Sequence, residues 1–148
     1  MIEYIVSVCP NGTKFWYLND NLHREDGPAI EYANGDKYWY LNDNLHREDG
    51  PAVEYADGYK EWHLNGNLHR EDGPAVEDAD GYKSWYLNGK RHREDGPAIE
   101  WYTDGSKSWY LNGKNVTEEE HKRRTSKVIE MTVAQISEAL GKKVKVVE

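Results

Sequence analysis

Four copies of one short segment hold the densest concentration of reactive side chains in this chain. Each copy reads His-Arg-Glu-Asp-Gly-Pro-Ala, and the copies begin at His23, His46, His69 and His92. A histidine supplies a general base near neutral pH, an arginine supplies a permanent cation, and two carboxylates supply acids or metal ligands. These residue types would serve acid–base catalysis or cation binding, so this segment, here called the motif, is the first place to look for chemistry.

The repetition favours a structural role for the motif over a catalytic one. An active site is assembled once, from residues that converge from different segments, whereas an identical segment in each unit solves one local problem four times. We expect the motif histidines to hydrogen-bond a neighbouring loop, and the motif arginines and glutamates to form charge ladders between units. No unit supplies a compact pair of metal ligands, so no metal, no cofactor and no enzymatic activity is predicted. The motif aspartates are expected to cap turns; they are Asp26, Asp49, Asp72 and Asp95.

The motif recurs every 23 residues, together with a tryptophan, a Leu-Asn pair and a glycine turn. A period of this length is typical of repeat architectures. Within a unit, apolar and polar residues alternate with period two, and Asp-Gly and Asn-Gly pairs mark hairpin turns. Residues 1–116 are therefore predicted to form an all-β repeat array, an elongated antiparallel β-meander of 23-residue hairpin units. Residues 99–105 hold one residue more than the preceding unit, which we interpret as a β-bulge.

The repeat pattern stops near the end of that array, and residues 117–148 follow a different pattern. Two capping-box sequences predict helices near residues 118–125 and 133–140. The pair Val128-Ile129 is expected to begin a short strand, and the alternation of Lys143-Val-Lys-Val-Val147 predicts a second strand at 143–147. The tail is therefore expected to be a small α/β element of helix, strand, helix and strand that caps the last edge of the sheet.

Composition limits the classes of function. The net charge of −8 argues against a nucleic-acid binder, which needs lysine and arginine to displace the counterions of the phosphates. No apolar run reaches the ~18 residues of a membrane span, and no basic residue precedes the short apolar stretch at the N-terminus, which makes it a poor signal peptide. The single cysteine, Cys9, excludes an internal disulfide framework. We expect a cytoplasmic protein without a membrane span.

Strand alternation divides the aromatic residues between two faces of the predicted sheet. The tryptophans share one face with the repeated leucines and are expected to form the core. The other face carries a row made mostly of tyrosines, which a single sheet cannot cover with a second layer. Exposed tyrosine is a typical anchor of binding surfaces, so we predict a partner-binding site there, with simple strand packing as the alternative. Residues that break the repeat are included, because the fold does not dictate them. The predicted partner-binding residues are Tyr17, Tyr40, His63, Tyr86, Tyr110, Asp78, Arg91 and Trp101.

The order of residues in one unit resembles the MORN repeat, in a MORN-like variant. That order is an aromatic residue, Asn-Gly, Lys or Leu, His and Gly, followed by an aromatic residue and Asp-Gly. The segments Asn88-Gly-Lys-Arg-His92 and Asp104-Gly-Ser-Lys107 show it best, and the variant differs in that Arg-Glu-Asp separates the histidine from its glycine. The resemblance covers about residues 10–113. It implies a single-sheet meander with roles in scaffolding, protein binding and lipid contact. The near-identical repeats followed by Met131-Thr-Val-Ala-Gln-Ile also resemble small accessory proteins of tailed bacteriophages.

These observations together predict a non-enzymatic protein-binding module whose partner has a basic or mixed surface. The phage resemblance implies a bacterial host factor as that partner, a defence component that the protein inhibits in the host cytoplasm. Two alternatives stay open. One is a small-ligand or nucleotide-sequestering protein, in which an arginine beside aromatic faces holds the ligand. The other is a structural scaffold.

Overall fold

The computed structural model describes residues 1–126, 132–141 and 143. These residues form eighteen strands and two helices. The strands are Ile5–Val8 (β1), Lys14–Leu18 (β2), Asn21–Leu22 (β3), Ile30–Glu31 (β4), Lys37–Tyr38 (β5), Tyr40–Leu41 (β6), Asn44–Leu45 (β7), Val53–Glu54 (β8), Lys60–Glu61 (β9), His63–Leu64 (β10), Asn67–Leu68 (β11), Val76–Glu77 (β12), Lys83–Ser84 (β13), Tyr86–Leu87 (β14), Lys90–Arg91 (β15), Ile99–Glu100 (β16), Lys107–Leu111 (β17) and Lys114–Val116 (β18). The helices are Glu118–Thr125 (α1) and Val133–Leu140 (α2).

Eleven of these strands follow one another in a single antiparallel sheet. Their order is β1-β2-β4-β5-β8-β9-β12-β13-β16-β17-β18, and β3 pairs with β2 beside this path. Each neighbour is next along the chain within the sheet, so the sheet is a meander without crossovers. At a strand spacing of about 4.8 Å, the path spans roughly 48 Å. The predicted all-β array of hairpin units with a small C-terminal helical element is confirmed.

A second hairpin in each inner unit lies outside this sheet. The pairs β6–β7, β10–β11 and β14–β15 are separate two-stranded ladders. The chain leaves the main ladder at the tryptophan, and Trp62 separates β9 from β10. Its amide donates to the carbonyl of Ala75 at 2.8 Å, and its carbonyl accepts from the amide of His69 at 3.0 Å. We expected whole hairpins to share one sheet, and the structure corrects this, because each inner strand is interrupted at its tryptophan.

The Asn-Gly turns of these outer hairpins have a specific backbone requirement. Asn65 has φ 49° and Gly66 has φ 80°. A two-residue hairpin turn with positive φ at both central residues matches the twist of the strands on either side. Asparagine and glycine are the residues that tolerate positive φ best. The Gly66 amide also donates to the carbonyl of Leu45 at 2.8 Å, so the turn ties its hairpin to the preceding unit.

The extra residue of the last unit lies in a turn. Ile99 pairs with Ser108 across β16 and β17 without a shift in register. The Trp101 amide donates to the carbonyl of Ser106 at 3.0 Å, which closes a turn one residue longer than its equivalents, and Tyr102 within it is 80% exposed. The predicted β-bulge is therefore wrong. An exposed turn accepts an insertion without disturbing the paired strands.

Small aliphatic side chains make up the buried core. The alanine that ends each motif is 0% exposed, and the isoleucine or valine after it is 2 to 7% exposed. The tryptophans are half-buried, so the expectation that they form the core is corrected. A single layer can enclose a methyl group between strands, but it cannot enclose an indole ring. The core residues are Ala29, Ile30, Ala52, Val53, Ala75, Val76, Ala98 and Ile99.

Both predicted helices are confirmed. The hydroxyl of Thr117 accepts from the Glu120 amide at the start of α1, and Thr132 and Gln135 form a complete capping box at the start of α2. Helix α1 packs against β17, where the buried His121 donates from Nε2 to the carbonyl of Arg93 at 2.6 Å. The predicted strand at 128–129, and all but the first residue of the one at 143–147, lie outside the described residues.

Candidate binding face

The pleat of the main sheet separates two faces with different chemistry. One face carries lysine and glutamate in alternation across neighbouring strands, together with the tryptophans and the motif, and we call it the motif face. Opposite charges directly across a strand pair are mutually stabilising. The next residue along each strand points to the other side, which we call the aromatic face. The alternating charged residues are Lys14, Glu31, Lys37, Glu54, Lys60, Glu77, Lys83, Glu100 and Lys107.

An arginine stacked on a tryptophan is the centre of each motif. The guanidinium carbon of Arg70 lies 4.0 Å from the centroid of the Trp62 ring, close enough for a cation–π interaction. Its Nε donates to Asp72 at 2.9 Å. Its Nη1 donates to the carbonyl of Pro74 at 3.1 Å and to Glu77 at 3.1 Å. The same arrangement recurs at Arg24, Arg47 and Arg93.

The acidic residues of the motif have other partners than we expected. Asp72 accepts from Arg70 and does not cap the turn. The Arg70 guanidinium holds the pKa of the Asp72 carboxyl below its usual range, with a smaller contribution from the residue's own amide. The second carboxylate of Arg70 is Glu77 of the following strand, whereas Glu71 lies 3.7 Å from His69. The predicted turn caps and the predicted Arg–Glu ladder between units are corrected. Each arginine is held over the tryptophan and pairs there with the aspartate of its own motif and with the glutamate of the strand that follows.

The glycine of each motif makes room for this guanidinium. Gly73 is not among the residues with positive φ, so its backbone conformation does not require glycine. A Cβ atom placed on Gly73 would lie 2.9 Å from Cζ of Arg70, which is closer than such atoms approach. A larger residue at this position would therefore require the guanidinium to move.

The predicted role of the motif histidines is confirmed. Nδ1 of His46 accepts from the Asn65 amide at 3.1 Å, in the turn of the next outer hairpin. The Arg47 amide donates to the carbonyl of His63 at 3.1 Å, so adjacent motif residues both bind the following unit. No group of three or more His, Cys, Asp or Glu within the described ranges is placed to hold a metal ion. The motif is thus engaged in holding units together.

Six aromatic rings form an unbroken series across the first part of the aromatic face. Consecutive ring centroids are 5.1 to 6.5 Å apart, within the range of favourable ring contacts. Tyr32 and Tyr55 are 40% and 38% exposed. Burial, and then a hydrogen bond with Tyr55, raise the pKa of Tyr38 far above its usual value, so it stays uncharged. The series runs Tyr17, Phe15, Tyr32, Tyr38, Tyr55 and Tyr59.

The ring series ends at a polar group in the third unit. The Tyr59 hydroxyl donates to Glu61 at 2.5 Å, and His63 Nε2 donates to the other oxygen of Glu61 at 2.7 Å. The hydrogen bond from His63 lowers the pKa of Glu61, burial opposes this, and the bond from Tyr59 lowers it further. Glu61 is therefore ionised at neutral pH. His63 is 8% exposed, and its Nδ1 is buried without a hydrogen-bond partner.

A second aromatic cluster lies beyond this polar group. The rings of Tyr82 and Trp101 are 5.9 Å apart. The guanidinium carbon of Arg91 lies 5.6 Å from the centroid of Tyr86 and 5.5 Å from that of Tyr110. The aromatic face thus changes along its length, from uncharged rings through a carboxylate to an arginine between tyrosines.

The eight predicted partner-binding residues all lie on the aromatic face, in separate groups. Tyr17 belongs to the ring series, and Tyr40 lies near its member Tyr32. His63 belongs to the polar group, and Asp78 lies near Tyr59 at its edge. Tyr86 and Tyr110 flank Arg91 in the second cluster, and Trp101 contacts Tyr82, which lies near Arg91. Their role in binding stays a prediction.

Sequence reasoning missed several members of this face. The residue before each tryptophan differs in nearly every unit, which is the signal that identifies a position not dictated by the fold. Tyr32 and Tyr55 lie just past their strands, and only their ring contacts place them in the series. The residues before the tryptophans are Phe15, Tyr38, Glu61, Ser84 and Ser108.

Comparison with known proteins adds no assignment: no protein-family model matches this chain, and no curated protein matches it. Among the residues that the structure describes, no helix is both long and apolar enough to cross a membrane.

Proposed function

We propose that the chain is a non-enzymatic protein-binding module that engages its partner through the aromatic face. The supporting observation is the contrast between the two faces. The motif face is nearly the same in every unit, and its arginines and histidines are occupied by contacts within and between units. The residues that differ between units collect on the aromatic face, where the fold does not require them.

The chemistry of the aromatic face fits a protein surface. Half-exposed tyrosines combine a large apolar area with a hydroxyl group, and such residues dominate the binding energy of many interfaces. The chain has 27 acidic and 19 basic residues, so a partner with a basic or mixed surface is drawn towards it. The MORN-like resemblance supports a role in protein binding. The phage resemblance supports a bacterial host protein as the partner, a defence component inhibited in the cytoplasm.

A pull-down from bacterial lysate with two matched variants tests this proposal. The first variant combines Tyr32→Asn with Tyr55→Asn. The unit after that of Tyr55 carries Asp78 at the equivalent position, so the fold already accepts a small polar residue there. The control combines Lys37→Asn with Lys60→Asn, two exposed residues of the motif face.

We expect one protein to be recovered in stoichiometric amount with the wild type and the control, and to be lost with the tyrosine variant. Circular dichroism checks that each variant is folded. Equal recovery with the tyrosine variant would exclude the ring series as the binding surface. Recovery of a small molecule in native mass spectrometry, with no protein, would favour the ligand-sequestering alternative.

A further inference from the structure

Within the part of the chain that the structure describes, Arg91 differs from the other arginines in having no carboxylate partner. Among the described residues, the six other arginines each have a carboxylate oxygen within 4.0 Å. No such ion pair involves Arg91, although acidic residues outnumber basic ones in this chain. A guanidinium that is kept from carboxylates in an acidic protein is available to an external anion.

The fold does not need an arginine at this position. Arg91 lies directly across the outer hairpin from Tyr86. The equivalent positions hold Leu22, Leu45 and Leu68, each across from the aromatic residue or histidine of its own hairpin. Since leucine satisfies the same hairpin three times, the guanidinium contributes something other than the fold.

The surroundings of Arg91 hold it in place without neutralising it. The rings of Tyr86 and Tyr110 flank the guanidinium at 5.6 and 5.5 Å. The guanidinium has a hydrogen bond with Tyr86, while its Nε is buried and has no hydrogen-bond partner. Aromatic rings compensate a cation only in part, whereas a carboxylate or phosphate pairs with a guanidinium through two parallel hydrogen bonds.

We infer that Arg91 and the tyrosines around it form a receptor for an oxyanion, a carboxylate or a phosphate group carried by the ligand. This inference rests on the proposed function, because it specifies the chemistry of one end of the same face. Glu61 lies in the polar group of that face and is ionised, so the face presents a negative and a positive site. A matching partner carries a cation opposite Glu61 and an oxyanion opposite Arg91, which is a surface of mixed charge.

Nuclear magnetic resonance of the labelled full chain tests the receptor directly. The Nε–H signal of Arg91 is assigned by its loss in Arg91→Leu, the residue that the other units use. The probes are sodium acetate, inorganic phosphate, adenosine monophosphate and the amide of N-acetylglutamate, at constant ionic strength, with adenosine as the uncharged control. We expect saturable shifts of the Arg91 Nε–H and Trp101 indole signals with at least one oxyanion and none with adenosine.

A matched variant separates the site from general electrostatics. Lys60→Leu removes the same charge from the motif face and should leave the affinity unchanged, whereas Arg91→Leu should weaken it at least tenfold. Saturation by phosphate and adenosine monophosphate alone identifies a phosphate ligand, and saturation by acetate and acetylglutamate amide identifies a carboxylate of a protein. The absence of any saturable shift, or an equal loss in both variants, would overturn the inference.

The pull-down distinguishes failure of this inference from failure of the proposed function. If Arg91→Leu retains the partner and Tyr32→Asn with Tyr55→Asn loses it, the oxyanion receptor is wrong and the binding face stands. If the tyrosine variant also retains the partner, the proposed function fails with it.

Discussion

Energetic coupling between Arg70 and Gly73 tests whether the motif is a structural device. Replacing Arg70 with alanine removes a guanidinium 4.0 Å from the Trp62 ring and three hydrogen bonds, to Asp72, to the Pro74 carbonyl and to Glu77. The bond to the exposed Asp72 adds little to stability. The cation–π interaction contributes about 0.5–2 kcal/mol. A hydrogen bond of this kind contributes about 0.5–1.5 kcal/mol net, and a partly exposed ion pair about 0.2–1 kcal/mol. We therefore expect Arg70→Ala to lower the free energy of unfolding by roughly 1–4 kcal/mol.

Gly73→Ala should destabilise only while the arginine is present. The new Cβ would lie 2.9 Å from Cζ of Arg70, so the guanidinium must leave its position over the indole ring and lose part of those interactions. We expect a loss of about 1–2 kcal/mol. In the Arg70→Ala background the clash is gone, and Gly73→Ala should be neutral or stabilising by up to about 1 kcal/mol, because alanine restricts the unfolded chain.

Urea unfolding of the wild type, both single variants and the double variant, followed by circular dichroism, measures this coupling. Asp72→Asn serves as a control, since Asp72 is 85% exposed and its loss should leave the coupling between Arg70 and Gly73 intact. The reasoning is refuted if Gly73→Ala destabilises equally in both backgrounds, because the glycine would then be required by the backbone and not by the arginine.

Three further predictions concern the unit interfaces, pH and salt. His46→Ala should speed hydrogen exchange of the Asn65 amide and lower the free energy of unfolding by about 0.5–1.5 kcal/mol, since that exposed amide exchanges its acceptor for water; unchanged exchange would contradict the contact. The pKa of Glu61 in the folded state lies below the ordinary value near 4.5, so its ionised form stabilises the fold at pH values above 4.5. This stabilisation is lost as the pH falls through the lower folded-state pKa. The difference in unfolding free energy between wild type and Glu61→Gln should therefore shrink between pH 6 and pH 3 in urea titrations, and a constant difference would count against it. For the captured partner, raising salt from about 0.05 to 0.5 M should slow association far more than it speeds dissociation, because it shortens the screening length; biosensor kinetics with a salt-independent association rate would rule out attraction by the acidic array.

Features that depend on neighbours in sequence were determined by the sequence itself. The Asn65-Gly66 pair specifies its turn because few other residues accept positive φ at both positions. Thr132 and Gln135 specify the start of α2 because their reciprocal hydrogen bonds are made within one turn of helix. The repeat also predicted that each motif histidine would bind a loop, because a residue that recurs in every unit indicates a structural contact made in every unit. These signals act over a few residues, so they need no knowledge of the assembled sheet.

The partners of side chains across the sheet were decided only by the tertiary structure. Asp72 was expected to cap a turn, but the Arg70 guanidinium stacked over Trp62 is the stronger donor within its reach. The extra residue of the last unit left the strand register intact, because an exposed turn absorbs an insertion at less cost than a paired strand.

The aromatic face shows the same limit of sequence reasoning. Alternation along the strands placed Tyr40 on this face, but it could not place Tyr32 and Tyr55, which lie beyond the paired residues of β4 and β8. Their rings both meet Tyr38 because antiparallel pairing brings neighbouring units side by side. The sequence thus determines which units form, and the packing of one unit against the next determines which of their side chains lie together on a continuous surface.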